Sequence, residues 1–192
     1  MSITSEIELQ LEFLRVNVEK PIVLVGHMGS GKTTISKALA KALGWGFVEA
    51  DDHIVDEEGM SIPDIFEQHG EPHFRDVERR VTEKLLNYEA PRVVGIGGGA
   101  FIETQTRGVI KEKAVSVYLK ATVEELFRRI GDDPNRPMLK SKETPLASLQ
   151  HLDTIRGPFY EQADLTVLTQ DEPEQETLNR VISALYSHAN PS

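Results

Sequence analysis

A parallel-sheet α/β fold is what this chain of 192 residues predicts, and three observations carry the prediction. The stretch Gly26-His27-Met28-Gly29-Ser30-Gly31-Lys32-Thr33 fits Gly-x-x-x-x-Gly-Lys-[Ser/Thr], a phosphate-binding loop. An apolar, β-branched run, Pro21–Val25, stands before it, and apolar residues at helical spacing follow it to Leu43, with Gly44 as a stop. From there to the C-terminus short apolar runs alternate with helical patterns, the order expected of a parallel sheet covered on both faces.

Each element has its own signal. Ile3, Ile7, Leu11 and Leu14 recur at spacings of three and four, which predicts a helix over 3–18 packed on the outside of the domain. Pro21–Val25 is the first strand and Thr34–Leu43 the helix behind the loop. Gly46–Ala50 predicts a short second strand, with Asp51-Asp52 at its carboxyl end, where open α/β sheets hold their ligand residues. Ser61 as N-cap and Pro63 in the first turn predict a helix start; Gly70 interrupts, and Glu71-Pro72 opens a second helix to about Tyr88. Val93–Ile96 reads as a third strand ending in Gly97-Gly98-Gly99, followed by a helix near 103–112 and the strand Val115–Leu119. Thr122 and Glu125 form a capping box for a helix to about Ile130. From Gly131 to Pro145 the chain is polar, with three prolines and no apolar periodicity, which suits a functional loop or lid. Helical pattern resumes to about Gln162, Asp164–Thr169 is a last strand, and a final helix covers about 174–187. The predicted class is a three-layer α/β/α P-loop kinase fold with a five-stranded parallel sheet, nucleoside-monophosphate-kinase-like. It is expected to form one domain over 1–192, with substrate-binding helices over about 60–90.

Composition narrows the function classes. A net charge of −10 argues against a nucleic-acid binder or a polybasic membrane anchor. With no cysteine, disulfides, zinc–thiolate sites and cysteine nucleophiles are excluded. No apolar run approaches the roughly 18 residues of a membrane span. The acidic residues Glu6, Glu8 and Glu12 fit neither a signal peptide nor a transit peptide, so a cytoplasmic protein, and a monomer at this modest size, is expected.

Strand, glycine loop and helix together make an anion cradle: successive backbone N–H groups and the helix N-terminus face one phosphate. Lys32 reaches the β- and γ-phosphates and the Thr33 hydroxyl can ligate Mg²⁺. Such a loop suits an ATPase, a GTPase or a kinase. The guanine-reading Asn-Lys-x-Asp is absent, and the length leaves no room for the partner domains of motor ATPases. A small-molecule kinase needs an acceptor pocket, charge to hold the acceptor and a lid. Asp51 stands where the γ-phosphate is expected to point, either as a carboxylate able to take a hydroxyl proton or as a plain helix cap. Arg75 and Glu78 share a helix face, as surface decoration or as a pair that aims the arginine at an acceptor carboxylate. Gly97-Gly98-Gly99 is a turn, or backbone brought against a ligand; its place at the sheet edge favours the second. Arg136 sits between prolines in the suspected lid, suited to the transferring phosphoryl group. Arg156 precedes a turn and alone is unremarkable.

Taken in order, these pieces resemble the shikimate kinase family over nearly all of residues 21–187. Gly26–Thr34 looks like its phosphate loop, and Glu49-Ala50-Asp51 falls where the family has Asp-x-Asp. Phe74-Arg75-Asp76-Val77-Glu78 resembles its Phe-Arg-x-x-Glu, and Gly97–Gly99 its triple glycine. Arg136-Pro137 resembles its lid Arg-Pro, and Arg156-Gly157-Pro158-Phe159-Tyr160 its Arg-x-Pro-x-Tyr. The resemblance implies ATP-dependent phosphorylation of the shikimate 3-hydroxyl, in the route to chorismate and the aromatic amino acids, with Mg²⁺ as cofactor. It implies that Asp51 binds the acceptor hydroxyls and serves as base, and that Arg75, oriented by Glu78, and Arg156 clamp the carboxylate. Gly97, Gly98 and Gly99 would border the acceptor. Gly29, Ser30, Gly31, Lys32, Thr33 and Thr34 would hold the nucleotide, with Lys32 and Arg136 on the phosphoryl group and Arg129 against the adenine. Thr33 would hold Mg²⁺, and Glu49 would act on it through water.

The chain departs from that pattern in carrying Glu49 for aspartate and no arginine in Gln170–Pro173, near the family's adenine loop. The strand before the triple glycine also lacks a Walker B aspartate. A gluconate-type kinase would equally need arginines for a carboxylate, but the triple glycine and Arg-x-Pro-x-Tyr argue against it. A binding module without transfer activity would be signalled by loss of Asp51 or Lys32, and both are present. His27 sits at a variable loop position, and His69 and His73, separated by Gly70 and Pro72, read as surface or turn residues rather than a metal pair.

Overall fold

The computed structural model describes residues 3–130 and 144–191. In chain order its elements are α1 (Ile3–Asn17), β1 (Ile22–Val25), α2 (Lys32–Leu43), β2 (Gly46–Glu49), α3 (Ala50–Glu58) and α4 (Ile62–Leu86). There follow β3 (Arg92–Gly95), α5 (Thr104–Lys113), β4 (Val115–Lys120), α6 (Val123–Ile130), α7 (Pro145–Tyr160), β5 (Leu165–Leu168) and α8 (Glu174–Ala189). The strands pair in the order β2-β3-β1-β4-β5, every neighbour parallel.

Strand β1 lies in the middle with all its residues buried, as expected where helices cover both faces. Its side chains alternate. Ile22 and Leu24 pack with Leu39 and Leu43 of α2 and Val181 and Leu185 of α8. Val23 and Val25 pack on the other side with Val77 and Val81 of α4 and Ile110 of α5. A smaller cluster of Ala121, Leu126, Ile130 and Leu149 takes in Met28 of the phosphate loop. Helix α1 lies outside, as its stripe predicts: Phe13 meets Tyr186 of α8 edge-on at 5.0 Å. Arg15 donates to the Leu43 carbonyl at 3.2 Å and the Ala42 carbonyl at 2.6 Å, satisfying the C-terminal end of α2.

Three details differ from the sequence reading. No loop follows β2: α3 starts at once with Glu49 as its N-cap, and Asp51 and Asp52 lie in its first turn, so neither is the cap. Arg156 does not precede a turn, because α7 continues through Pro158 to Tyr160 and closes with Glu161 N–H on the Gly157 carbonyl at 3.0 Å. The capping box at α6 is half made: Thr122 Oγ accepts from the Glu125 N–H at 3.2 Å, while the Glu125 carboxylate turns to Arg128 and Arg129. The kink at Gly70 stands where expected, with φ 80° and ψ 170° inside α4. Arg136, and the suspected lid up to residue 143, lie outside the described residues. Among the described residues no helix is long and apolar enough to cross a membrane.

Candidate active site

The carboxyl ends of β1, β2 and β3 lie side by side, so the phosphate loop, Glu49–Asp51 and the triple glycine meet at one edge of the sheet. Helix α2 begins at Gly31 with no side-chain cap and no acidic residue in its first turn, so its N-terminal amides are open to an anion. Gly29 has φ +77°, and a Cβ there would lie 2.6 Å from the Ile130 side chain, so both conformation and close approach exclude a larger residue. Lys32 Nζ donates to the carbonyls of Gly26 at 2.9 Å and His27 at 2.7 Å, which lays its ammonium over the loop. Ser30 Oγ is buried without a hydrogen-bond partner among the described residues.

Beside the loop opens a cleft of about 270 Å³, bordered by Lys32, Asp51, Arg75, Gly97–Gly99 and Arg156. Gly70 and Pro72 bend α4 so that its second half carries Arg75 into this space. The Arg75 guanidinium is held by Glu78 at 2.7 Å and by Glu71 at 3.2 Å. Glu78 is only 2% exposed, so it is an orienting partner and not a surface ornament. A Cβ on Gly99 would come within 2.7 Å of Arg75, and one on Gly97 within 3.3 Å of Glu78 and 3.6 Å of Asp51. The glycines are bare because charged groups stand against them. Gly98 is fixed from below, where the Tyr160 hydroxyl donates to its carbonyl at 2.6 Å.

Burial, reinforced by Asp52, raises the Asp51 carboxyl above the ordinary range. Burial likewise raises Glu78, against the opposing pull of Arg75. It also lifts the Tyr160 hydroxyl to about 12, although Arg156, hydrogen-bonded to it, pulls the other way. Glu49 is raised by burial, with a hydrogen bond to Thr33 opposing. Thr33 and Glu49 thus bring two hard oxygen donors together beside the loop, the donor chemistry that suits Mg²⁺. Among the described residues no group of three or more His, Asp or Glu is placed to hold a metal. His73 lies 2.7 Å from Glu58 and its ring 4.9 Å from that of His69.

On the far side of the loop, Ser30, Gly31 and Thr34 border a second cleft of about 190 Å³ with Arg129, Gln170 and Asp171. Arg129 ties this end together. Its guanidinium donates to the Gly29 and Ser30 carbonyls at 3.4 and 3.3 Å, to Thr169 at 3.0 Å and to the Gln170 carbonyl at 2.6 Å. Gln170–Pro173 holds no arginine, and the arginines bordering this cleft are Arg128 and Arg129. Three contributors were missed in the sequence. Gly95 carries no turn signal yet leaves room for Glu49. Tyr160 gave only a motif position, and the His27–Asp153 contact at 2.9 Å joins residues 126 positions apart, beyond any local pattern.

The family model described as "Shikimate kinase" matches residues 28–186. A shikimate kinase of Rhodopseudomonas palustris is 41% identical over 170 residues, covering 88% of this chain and 83% of that one. The shikimate kinase from Acinetobacter baumannii, solved in complex with shikimate, superposes with a TM-score of 0.80 at 34% identity, covering 93% of this chain and 98% of its own. A gluconokinase from Sinorhizobium meliloti, with a TM-score of 0.57 at 21% identity over 89% of this chain and 94% of its own, shares the fold alone.

Proposed function

The chain belongs to the shikimate kinase family, and on that premise we propose how its own residues perform the reaction. The enzyme is an ATP-dependent phosphotransferase that moves the γ-phosphate of ATP to the 3-hydroxyl of shikimate, giving shikimate 3-phosphate and ADP. The observation that carries the division of labour is one cleft in which the half-buried Asp51 carboxyl, two arginines and the phosphate-loop lysine converge.

Shikimate is a small acid with a carboxylate and vicinal hydroxyls, and this cleft offers a matching group for each part. Arg75, pinned by Glu78, and Arg156, braced by Tyr160, grip the carboxylate. Asp51 accepts a hydrogen bond from the 3-hydroxyl and takes its proton as the new O–P bond forms. Its raised pKa makes it a better proton acceptor than an exposed aspartate. The bond from the γ-phosphorus to the β–γ bridging oxygen breaks, and ADP leaves. Lys32 and the amides of Gly29, Ser30, Gly31, Thr33 and Thr34 neutralise charge on the phosphates. Arg129 lies along the base end of the nucleotide. Arg136, outside the described residues, is assigned to the transferring phosphoryl group on its motif alone. Mg²⁺, when bound, would offset charge on the β- and γ-phosphates, held by Thr33 and, through water, by Glu49. A cytoplasmic monomer is the simplest reading for a chain of this modest size and net charge of −10.

The test is ³¹P and ¹H NMR of the product formed from shikimate, ATP and Mg²⁺. A single phosphomonoester on the 3-oxygen supports the pose; a phosphate on another hydroxyl contradicts the place given to Asp51.

A further inference from the structure

We propose that the His27–Asp153 pair is a positioning device for the transfer, fixing α7, with Arg156 and Tyr160, against the phosphate loop. The inference rests on the assignment of Arg156 to the acceptor. His27 is 4% exposed inside a glycine loop, where an apolar side chain would fill the space without cost. Its Nε2 lies 2.9 Å from Asp153 Oδ1. A carboxylate can only accept, so Nε2 carries the proton and donates.

Three contacts meet at this one residue. Its carbonyl accepts from Lys32 Nζ at 2.7 Å. Its ring stands edge-on to Tyr160, with centroids 4.9 Å apart and planes at 83°. Its Nε2 holds Asp153, which is one helical turn before Arg156 on the same face of α7. Tyr160 passes the constraint on, through its hydroxyl to the Gly98 carbonyl at 2.6 Å and through a hydrogen bond with Arg156. The pair therefore links the phosphate-binding side to the acceptor-binding side and borders neither of the two clefts described.

Asp153→Leu, His27→Leu, the double variant and Asp153→Asn are compared with the parent enzyme in initial rates and in the thermal midpoint with and without shikimate. Asp153→Leu is expected to raise the shikimate KM about tenfold, the size of a lost charge-assisted hydrogen bond, with the ATP KM within about twofold. The double variant should be no worse than the worse single one. Asp153→Asn, which still accepts from Nε2, should return the shikimate KM to within about threefold of the parent value. The shikimate-induced rise in midpoint should shrink in Asp153→Leu and recover in Asp153→Asn. An unchanged shikimate KM with only a lower midpoint, or effects that multiply in the double variant, would overturn the proposal. Asp153 is half-exposed, so its variants keep the test open should His27→Leu not fold. A parent enzyme inert toward shikimate would instead overturn the assigned reaction, with the proposal resting on it.

Discussion

The Glu49 carboxylate fills the space that a methyl group on Gly95 would take. The two residues are register partners across β2 and β3, and Gly95 is not among the glycines with positive φ. Space, not conformation, requires glycine there. The Glu49 side chain is accommodated because its neighbour Gly95 carries none. Gly95→Ala should push the carboxylate off Thr33, lower turnover about tenfold and raise the Mg²⁺ concentration for half-maximal rate. Glu49→Asp added to it should restore most of both. Rates measured against Mg²⁺ for the two variants decide this, and a silent Gly95→Ala would detach Glu49 from the metal.

Asp51 couples catalysis to instability. Its folded pKa lies above the unfolded one, so its contribution to stability is fully present below the unfolded value and is lost as pH rises through the folded value. At neutral pH the folded enzyme carries that cost. Asp51→Asn should therefore raise the thermal midpoint of the ligand-free protein at pH 7 while cutting turnover by about 10²–10⁴-fold. ATP binding should be nearly unchanged. Calorimetry and steady-state rates on the same preparation check both halves; near-normal turnover would remove Asp51 from the chemistry.

Much of this was legible in the sequence, for a physical reason. The loop needs glycines, a lysine and a hydroxyl in fixed local order, and the strands β1, β3 and β4 show their apolar runs because both faces are covered. Arg75 and Glu78 lie within one helical turn, so their pairing shows in their spacing. The contacts that the sequence hides are those made across the fold. Nothing near Gly95 announces Glu49, and nothing near His27 announces Asp153. Gly157-Pro158 is a common breaker and so places Arg156 before a turn, yet α7 runs on through Pro158, forgoing one backbone hydrogen bond, and closes with Glu161 N–H on the Gly157 carbonyl.

Arg156→Ala should raise the shikimate KM well above its effect on the ATP KM, because the guanidinium borders only the acceptor cleft among those described. Tyr160→Phe should do the same more mildly, losing about 1 kcal/mol with the hydrogen bond to the Gly98 carbonyl. Steady-state constants for both substrates separate the cases; equal effects on the two KM values would make these residues structural.

Burial lowers the His27 pKa, against Asp153 and together with Lys32 and Arg156. A folded value below the unfolded one means that stability is fully present above the unfolded value, about pH 6.5, and declines as pH falls toward the folded one. The thermal midpoint should drop on the acid side of that point, and His27→Gln should flatten this limb. A series of melts between pH 5 and 8 reads the difference; identical limbs would place the titration elsewhere.

The most direct test of the account is coupled ADP release with ATP and Mg²⁺, run with shikimate, with gluconate and with no acceptor. The geometry predicts sustained turnover with shikimate and background rates in the other two. Turnover with gluconate in place of shikimate, or tight ATP binding without transfer to either, would contradict it.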